Sequence, residues 1–156
     1  MIAFVDMFSG ISGDMALGAL IDLGVPIDWL KEKLSRVLNG FELKTTLVYK
    51  NHLKAVDLVV EGRDKGRVSR IYTEIRSLIK NGSLPEKVKK NSLSAFKKIA
   101  TAESRIHGKD IETIHFHEIG GVDSIVDIIG TFLCVEYLGI ERVYASSVPL
   151  GSGVVT

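Results

Sequence analysis

The stretch that most constrains the fold lies late in the chain, between residues 123 and 138, where large apolar residues predominate. Its large apolar residues are Ile125, Val126, Ile128, Ile129, Phe132, Leu133, Val135 and Leu138. Because these side chains would cover almost every side of a helix, the pattern predicts a buried helix with the rest of the chain packed around it. The stretch is shorter than the ~20 apolar residues of a membrane span and contains acids, so we do not expect it to cross a membrane.

A narrow polar stripe interrupts this predicted helix. Asp123, Asp127 and Thr131 follow one another at intervals of four residues and therefore lie on one side of it. A buried carboxylate is costly unless a cation or hydrogen-bond donors accompany it. The partner could be a bound metal, the histidines just upstream, or backbone donors.

Two histidines precede the helix. His115 and His117 are two residues apart, so in an extended segment both rings leave the same side of the strand. Glu118 points the other way unless the chain turns, and Gly120-Gly121 makes such a turn easy. Imidazoles and carboxylates converging across this turn predict a divalent metal site with nitrogen and oxygen ligands. The candidate ligands are His115, His117, Glu118, Asp123 and Asp127.

A structural interpretation of the same residues stays open. Asp123 suits the N-cap of the following helix, and Asp127 suits an early turn, where the helix dipole favours a negative charge. The two histidines would then lie on one side of an ordinary strand. Spacing alone favours this interpretation, whereas the acids in an otherwise apolar helix favour the metal site.

The start of the chain has a second candidate site. Residues 2–5 are a continuous apolar run, which predicts a buried central strand, and a helix is predicted from about residue 14 to 23. Between them lies a Ser/Gly loop, and a loop of this kind before a helix N-terminus is typical of an anion site. The acids Asp6 and Asp14 suit a phosphate that is carried with a cation. A tight turn with Ser12 or Asp14 as the helix cap explains the loop equally well.

The remaining pattern predicts the fold class. Helices are expected at residues 27–38, 68–79 and 86–106, a hairpin at 41–49 and 55–61, and a last strand at 143–148. This is the β-α-β-β-α-β order of a ferredoxin-like sandwich with enlarged helical crossovers. We therefore expect a single α+β domain over residues 1–156, with one mixed sheet of about four strands and helices over one face. Both candidate sites would meet near one end of the first strand.

Composition excludes several classes of partner and location. Twenty basic against nineteen acidic residues give a net charge of +1, so nucleic acid and membrane partners are not expected. Cys134 is the single cysteine, so no intrachain disulfide can form, and its apolar surroundings predict a buried, inert thiol. The first six residues lack the basic region of a signal peptide, which predicts a cytoplasmic protein.

Two stretches also resemble one family. Residues 8–15, Phe-Ser-Gly-Ile-Ser-Gly-Asp-Met, are similar to one signature of the LarC family of nickel insertion proteins. His115-Phe116-His117-Glu118, followed by residues 122–127, Val-Asp-Ser-Ile-Val-Asp, resembles the other. The resemblance extends over the whole chain, through residues 102–108 and 149–153.

The resemblance implies a function. Family members insert nickel into a pyridinium bisthiocarboxylic acid mononucleotide, using CTP and a divalent cation, and so make the nickel-pincer cofactor of lactate racemase. As a nickel chelatase, the full-length enzyme is a lyase of the cyclometallase type. Carried over to this sequence, the substrate- and phosphate-binding candidates are Asp6, Ser9, Gly10, Ser12, Gly13 and Asp14. The metal candidates are those named above, and the resemblance assigns no catalytic residue.

The resemblance also implies that the function is shared between two domains. Family proteins continue into a second, C-terminal domain where CTP and its cation are expected to bind, so this chain resembles the N-terminal domain, joined to the other in cis or in trans. Alone, it is expected not to complete the reaction, and an exposed docking face would permit a homo-oligomer. Residues 62–69 contain no histidine, unlike the histidine-rich segment of many relatives.

Two other functions remain open. One is a non-catalytic metal carrier or assembly module that docks a separate nucleotide-binding domain. The other is a metal-dependent phosphohydrolase that uses His115, His117 and the acids around a bound water.

Overall fold

The computed structural model describes residues 1–62, 70–116 and 119–149. Within these ranges the strands are β1 (Ile2–Val5), β2 (Phe41–Lys50), β3 (Leu53–Gly62) and β4 (Arg142–Ala145). The α-helices are α1 (Gly13–Asp22), α2 (Ile27–Ser35), α3 (Tyr72–Asn81), α4 (Glu86–His107) and α5 (Val122–Tyr137), with a short 3-10 turn at Ile111–Thr113. This content confirms the predicted α+β class.

The strands do not form the predicted single sheet of about four strands. In the described residues, β1 pairs in parallel with β4, and β2 pairs with β3 in an antiparallel hairpin, giving two separate two-stranded sheets. The hairpin packs against α1 instead of against β1. The approach is close: a Cβ atom added to Gly18 of α1 would lie 2.4 Å from the Val56 carbonyl oxygen of β3. The hairpin is thus joined to the rest of the chain through a helix, and among the described strands β1 pairs with β4.

Strand β1 is also not the buried central strand that its apolar run predicts. Ile2 is 63% exposed and Phe4 is 67% exposed. The physical reason is that the pair β1–β4 has no described helix over that side, so the apolar run faces outward instead of into a core.

Helix α5 has the predicted position and the predicted burial. It packs against α1, α2, α4 and β3. Its buried residues are Ile125, Val126, Ile129, Gly130, Leu133 and Cys134. Burial raises the pKa of the Cys134 thiol to about 12, as expected for an inert thiol.

The segment before α5 pairs with the segment before α3. The Phe116 N–H donates to the Arg70 carbonyl (3.2 Å), and the Tyr72 N–H donates to the Ile114 carbonyl (3.1 Å). This pairing alternates the side chains, so Ile114 and Phe116 are buried while His115 is exposed. The ring of Phe116 contacts those of Tyr72 and Phe96, each with centroids 6.3 Å apart.

The hairpin turns at Asn51 and His52, where both residues have positive φ (49° and 67°). Two positive φ angles in a two-residue loop are typical of a type I′ turn, which matches the twist of the two strands. Of the helices described, none combines the length and the apolar character that crossing a membrane requires.

Candidate functional site

A cavity of about 350 Å³ lies where the N-terminal ends of α1 and α5 meet β3. Both helices begin at this cavity. Its lining residues are Ser12, Gly13, Asp14, Leu58, Val59, Val60, Asp123 and Asp127. Parts of the two sequence motifs, separated by more than 100 residues, therefore contribute to one site.

The α1 side of the cavity is held by a local hydrogen-bond network. Ser12 occupies the N-cap position, but its hydroxyl donates to the Asp14 carboxylate and does not cap the helix. The Met15 N–H donates to Oδ1 of Asp14 at 2.9 Å. Asp14 is therefore anchored by groups on its own helix, with its charge at the positive end of the helix dipole.

The α5 side carries the other two acids. Gly121 is the N-cap of α5, so Asp123 is not the cap that the structural interpretation allowed. Asp123 lies in the first turn, where its Oδ1 accepts a hydrogen bond from the Ser124 N–H at 2.8 Å. Asp127 lies one turn further along and on the same side of the helix.

Asp127 is the most perturbed carboxyl group of the site. Its side chain is half-buried, and among the described residues its Oδ1 has no hydrogen-bond partner and is shielded from solvent. Burial, followed by the negative charges of Asp14 and Asp123, raises the pKa of Asp127 to about 6 from its ordinary value of 3.8. A cation in the cavity would relieve both the desolvation and the repulsion.

Gly13 explains how α1 comes so close to this carboxylate. A Cβ atom at residue 13 would lie 2.3 Å from Cγ of Asp127, a distance that no side chain could occupy without displacing the acid. The glycine therefore lets the α1 backbone form one wall of the cavity directly against Asp127.

The charges of the site favour two kinds of ligand at once. Two helix N-termini favour an anion such as a phosphate, whereas three carboxylates favour a cation. The described residues include no group of three or more His, Cys, Asp or Glu side chains arranged to hold a metal ion. Asp14, Asp123 and Asp127 carry oxygen atoms that could bind a cation. In this arrangement, however, they do not form a complete set of metal ligands.

The rest of the first motif lies outside the cavity lining. Asp6 and Ser9 are exposed in the loop between β1 and α1. Gly10 is in a turn of that loop, with φ at 88° and its N–H donating to the Met7 carbonyl at 2.9 Å. The structure thus brings Ser12, Gly13 and Asp14 to the cavity and leaves the earlier residues beside it.

The histidine motif is only partly described. His115 forms an isolated antiparallel bridge with Ile71, is exposed, and is not among the residues that line the cavity. His117 and Glu118 lie outside the described residues. Their predicted role as metal ligands stays a prediction.

The third wall of the cavity could not be predicted from the sequence. Leu58, Val59 and Val60 come from β3, and each is an ordinary apolar residue of a hairpin strand. Only the packing of α1 against β3 brings them to the site, and no spacing rule within the sequence encodes that contact.

Comparisons with known proteins match nearly the whole chain, to a family and to relatives that are named for nickel insertion. The family model described as nickel insertion protein matches residues 3–156. A Desulfitobacterium hafniense protein named pyridinium-3,5-bisthiocarboxylic acid mononucleotide nickel insertion protein is 44% identical over 154 residues, which are 98% of this chain and 38% of that protein. A relative from Wolinella succinogenes, also named for nickel insertion, is 45% identical over 99% of this chain and 40% of its own length.

The chain thus spans about two fifths of the length of the curated relatives that it matches. No solved structure gives a significant match to it.

Proposed function

Because the chain belongs to the nickel insertion protein family, we propose that it is the domain that receives nickel and the pyridinium mononucleotide substrate. In this proposal it is the N-terminal domain of a CTP-dependent enzyme that makes the nickel-pincer cofactor of lactate racemase. The observation that carries the proposal is the convergence of residues 12–14 with Asp123 and Asp127 on one cavity.

The cavity suits a small charged ligand. Its volume of about 350 Å³ lies within the usual range for small-molecule sites, roughly 300–1,000 Å³. In our proposal the phosphate of the mononucleotide lies at the N-terminus of α1, where backbone N–H groups and the helix dipole favour an anion. The apolar side chains of β3 then provide a surface for the pyridinium ring.

The acids have a complementary role. Asp127 and its neighbours Asp14 and Asp123 would repel a bare phosphate, so they support a site in which phosphate and nickel arrive together. The name of the D. hafniense relative specifies a bisthiocarboxylic acid, whose sulfur atoms are themselves metal ligands. In our proposal the substrate sulfurs complete the ligand set that the carboxylates begin, together with His115, His117 and Glu118 as the predicted further ligands.

Calorimetric titration of nickel into the metal-stripped chain tests the metal half of this proposal. Asp127→Asn keeps the shape of the side chain and removes its charge, so it should weaken nickel binding at least about tenfold. The matched control is Asp22→Asn, an exposed acid at the far end of α1, which should leave nickel binding unchanged. Equal affinity of Asp127→Asn and wild type would place nickel elsewhere.

Two histidine variants separate the cavity from the histidine motif. If His115 and His117 are ligands, His115→Ala and His117→Ala each weaken nickel binding alongside Asp127→Asn. Wild-type affinity in His117→Ala would remove the histidine motif from the site. Retention of nickel without binding of the mononucleotide would favour the metal-carrier alternative.

A charge reversal tests the phosphate half. Ser12→Glu adds a negative charge at the start of α1 and should lower the affinity for a pyridinium mononucleotide at least about tenfold. Ser35→Glu, at an exposed position at the end of α2, is the control and should leave that affinity unchanged. Unchanged affinity in Ser12→Glu would place the phosphate away from α1.

The CTP-dependent step is assigned to the remaining part of the family protein. We therefore expect no consumption of CTP by this chain alone in the presence of nickel and magnesium. Chromatographic detection of CTP turnover by the purified chain would contradict the assignment of this step to the remaining part of the protein.

A further inference from the structure

The parallel pair β1–β4 exposes an apolar surface on one of its sides. Ile2 pairs with Arg142 and Phe4 pairs with Tyr144, so all four residues lie on one side of the pair. We call Ile2, Phe4 and Tyr144 the outer sheet face. Their exposed fractions are 63%, 67% and 51%, so each side chain is more than half exposed.

Parallel pairing makes this exposure unusual. Parallel strands occur almost always in sheets covered on both faces, whereas antiparallel hairpins commonly keep one face in water. A pair of four-residue strands is also too small to be stable without further strands or packing. Exposed residues of the antiparallel β2–β3 hairpin, such as Tyr49, are therefore less unusual than those of the outer sheet face.

The lengths of the relatives indicate where the cover comes from. The match accounts for 38% of the D. hafniense protein and 40% of the W. succinogenes protein, so roughly three fifths of each lies outside it. No helix among the described elements covers the outer sheet face. We propose that this face is the docking surface for an apolar element from the remaining part of the family protein, in cis or in trans. The inference rests on the proposed role of the chain as one part of a larger nickel insertion protein.

Co-expression tests the proposal directly. The chain would be produced with the part of the D. hafniense relative that lies outside the match, and the two would be purified by a tag on the chain. We expect a 1:1 complex. Phe4→Glu should weaken its affinity at least about tenfold, since a charge replaces an aromatic side chain in the interface.

The matched control is Tyr49→Glu, which replaces an equally exposed aromatic residue on strand β2 (72% exposed) and should leave the complex intact. Thermal unfolding of the isolated Phe4→Glu chain should resemble that of wild type. The proposal is overturned if no complex forms, if both variants weaken it equally, or if Phe4→Glu unfolds the chain. It is also overturned if the outer sheet face instead joins two copies of this chain.

The docking test and the nickel test can fail separately. Nickel titration uses the chain alone and probes Asp127, whereas docking is measured without nickel and probes Phe4. A chain that docks but binds no nickel would end the proposed metal role, and a chain that binds nickel but does not dock would end this inference.

Discussion

Replacing Asp127 with asparagine should stabilise the chain at neutral pH while it removes a predicted nickel ligand. The carboxyl group is half-buried beside two other acids, and its pKa is raised to about 6 from 3.8. Because the pKa is higher in the folded state, the folded chain binds this proton more tightly than the unfolded chain. The contribution of this group to stability is therefore fully present below about pH 4 and is lost as the pH rises through about 6.

The magnitude follows from the same pKa. A rise from 3.8 to about 6 corresponds to at most about 3 kcal/mol, and partial exposure of the group to solvent reduces this to about 1–2 kcal/mol. Asparagine does not ionise, so it has no such pH-dependent cost. In a chain of this size, 1–2 kcal/mol is equivalent to an increase in Tm of about 3–6 °C.

Thermal unfolding of wild type and Asp127→Asn at pH 4 and pH 7.5 is the assay. We expect the variant to melt higher at pH 7.5 and close to wild type at pH 4. Nickel should raise the Tm of the wild type more than that of the variant at the same nickel concentration, since the variant binds nickel more weakly. A variant that is less stable at pH 7.5, or a difference independent of pH, would refute the reasoning.

Three further predictions concern close packing and burial in this chain. Gly13→Ala should destabilise the chain by about 1–3 kcal/mol, measured by chemical unfolding, because its Cβ would overlap Asp127; wild-type stability would contradict the close contact. Phe116→Ala should cost about 3–5 kcal/mol and Phe4→Ala little, because Phe116 is 1% exposed and Phe4 is 67% exposed; equal losses of Tm would contradict these burials. The Cys134 thiol should react with a thiol reagent only after denaturation, since it is buried and its pKa is about 12; fast labelling of the native chain would contradict this.

The elements of this fold that are strongly patterned could be predicted from sequence. Helix α5 was expected at residues 123–138 and is found at Val122–Tyr137, because apolar residues on all sides leave burial as the only stable arrangement. The hairpin was also predicted, and α4 ends as expected before Gly108, which has a positive φ of 62°. In each case the local pattern and the tertiary environment agree.

The two predictions that were wrong, a buried β1 and a single sheet, depend on tertiary contacts that the sequence does not reveal. The apolar run Ile2–Val5 predicted a buried strand, but a run of four residues carries no information on what covers it. The predicted single sheet was wrong for a related reason: the order of the strands in the sequence does not reveal that α1, through Gly18, packs closely against β3, or that β1 pairs with β4.

Some residues of the candidate site could be predicted from the sequence, but their surroundings could not. The spacing of Asp123 and Asp127 on one helix and the Ser/Gly start of α1 were visible in the sequence, and their meeting was expected near β1. The structure brings them together at β3 instead. The raised pKa of Asp127 could not be predicted, since it depends on burial and on the charge of Asp14 from a different helix.

The two glycine contacts of α1 have a mechanical consequence. At Gly13 the backbone of α1 lies against the Asp127 side chain, and at Gly18 it lies against the Val56 carbonyl of the hairpin; α1 itself contributes no side chain at either point. A shift of α1 at either contact therefore cannot be absorbed by a rotamer change on α1 itself. Because α1 contacts both the acid of the cavity and the backbone of β3, we expect substitutions in the hairpin next to Gly18 to change the size of the ligand that the cavity admits.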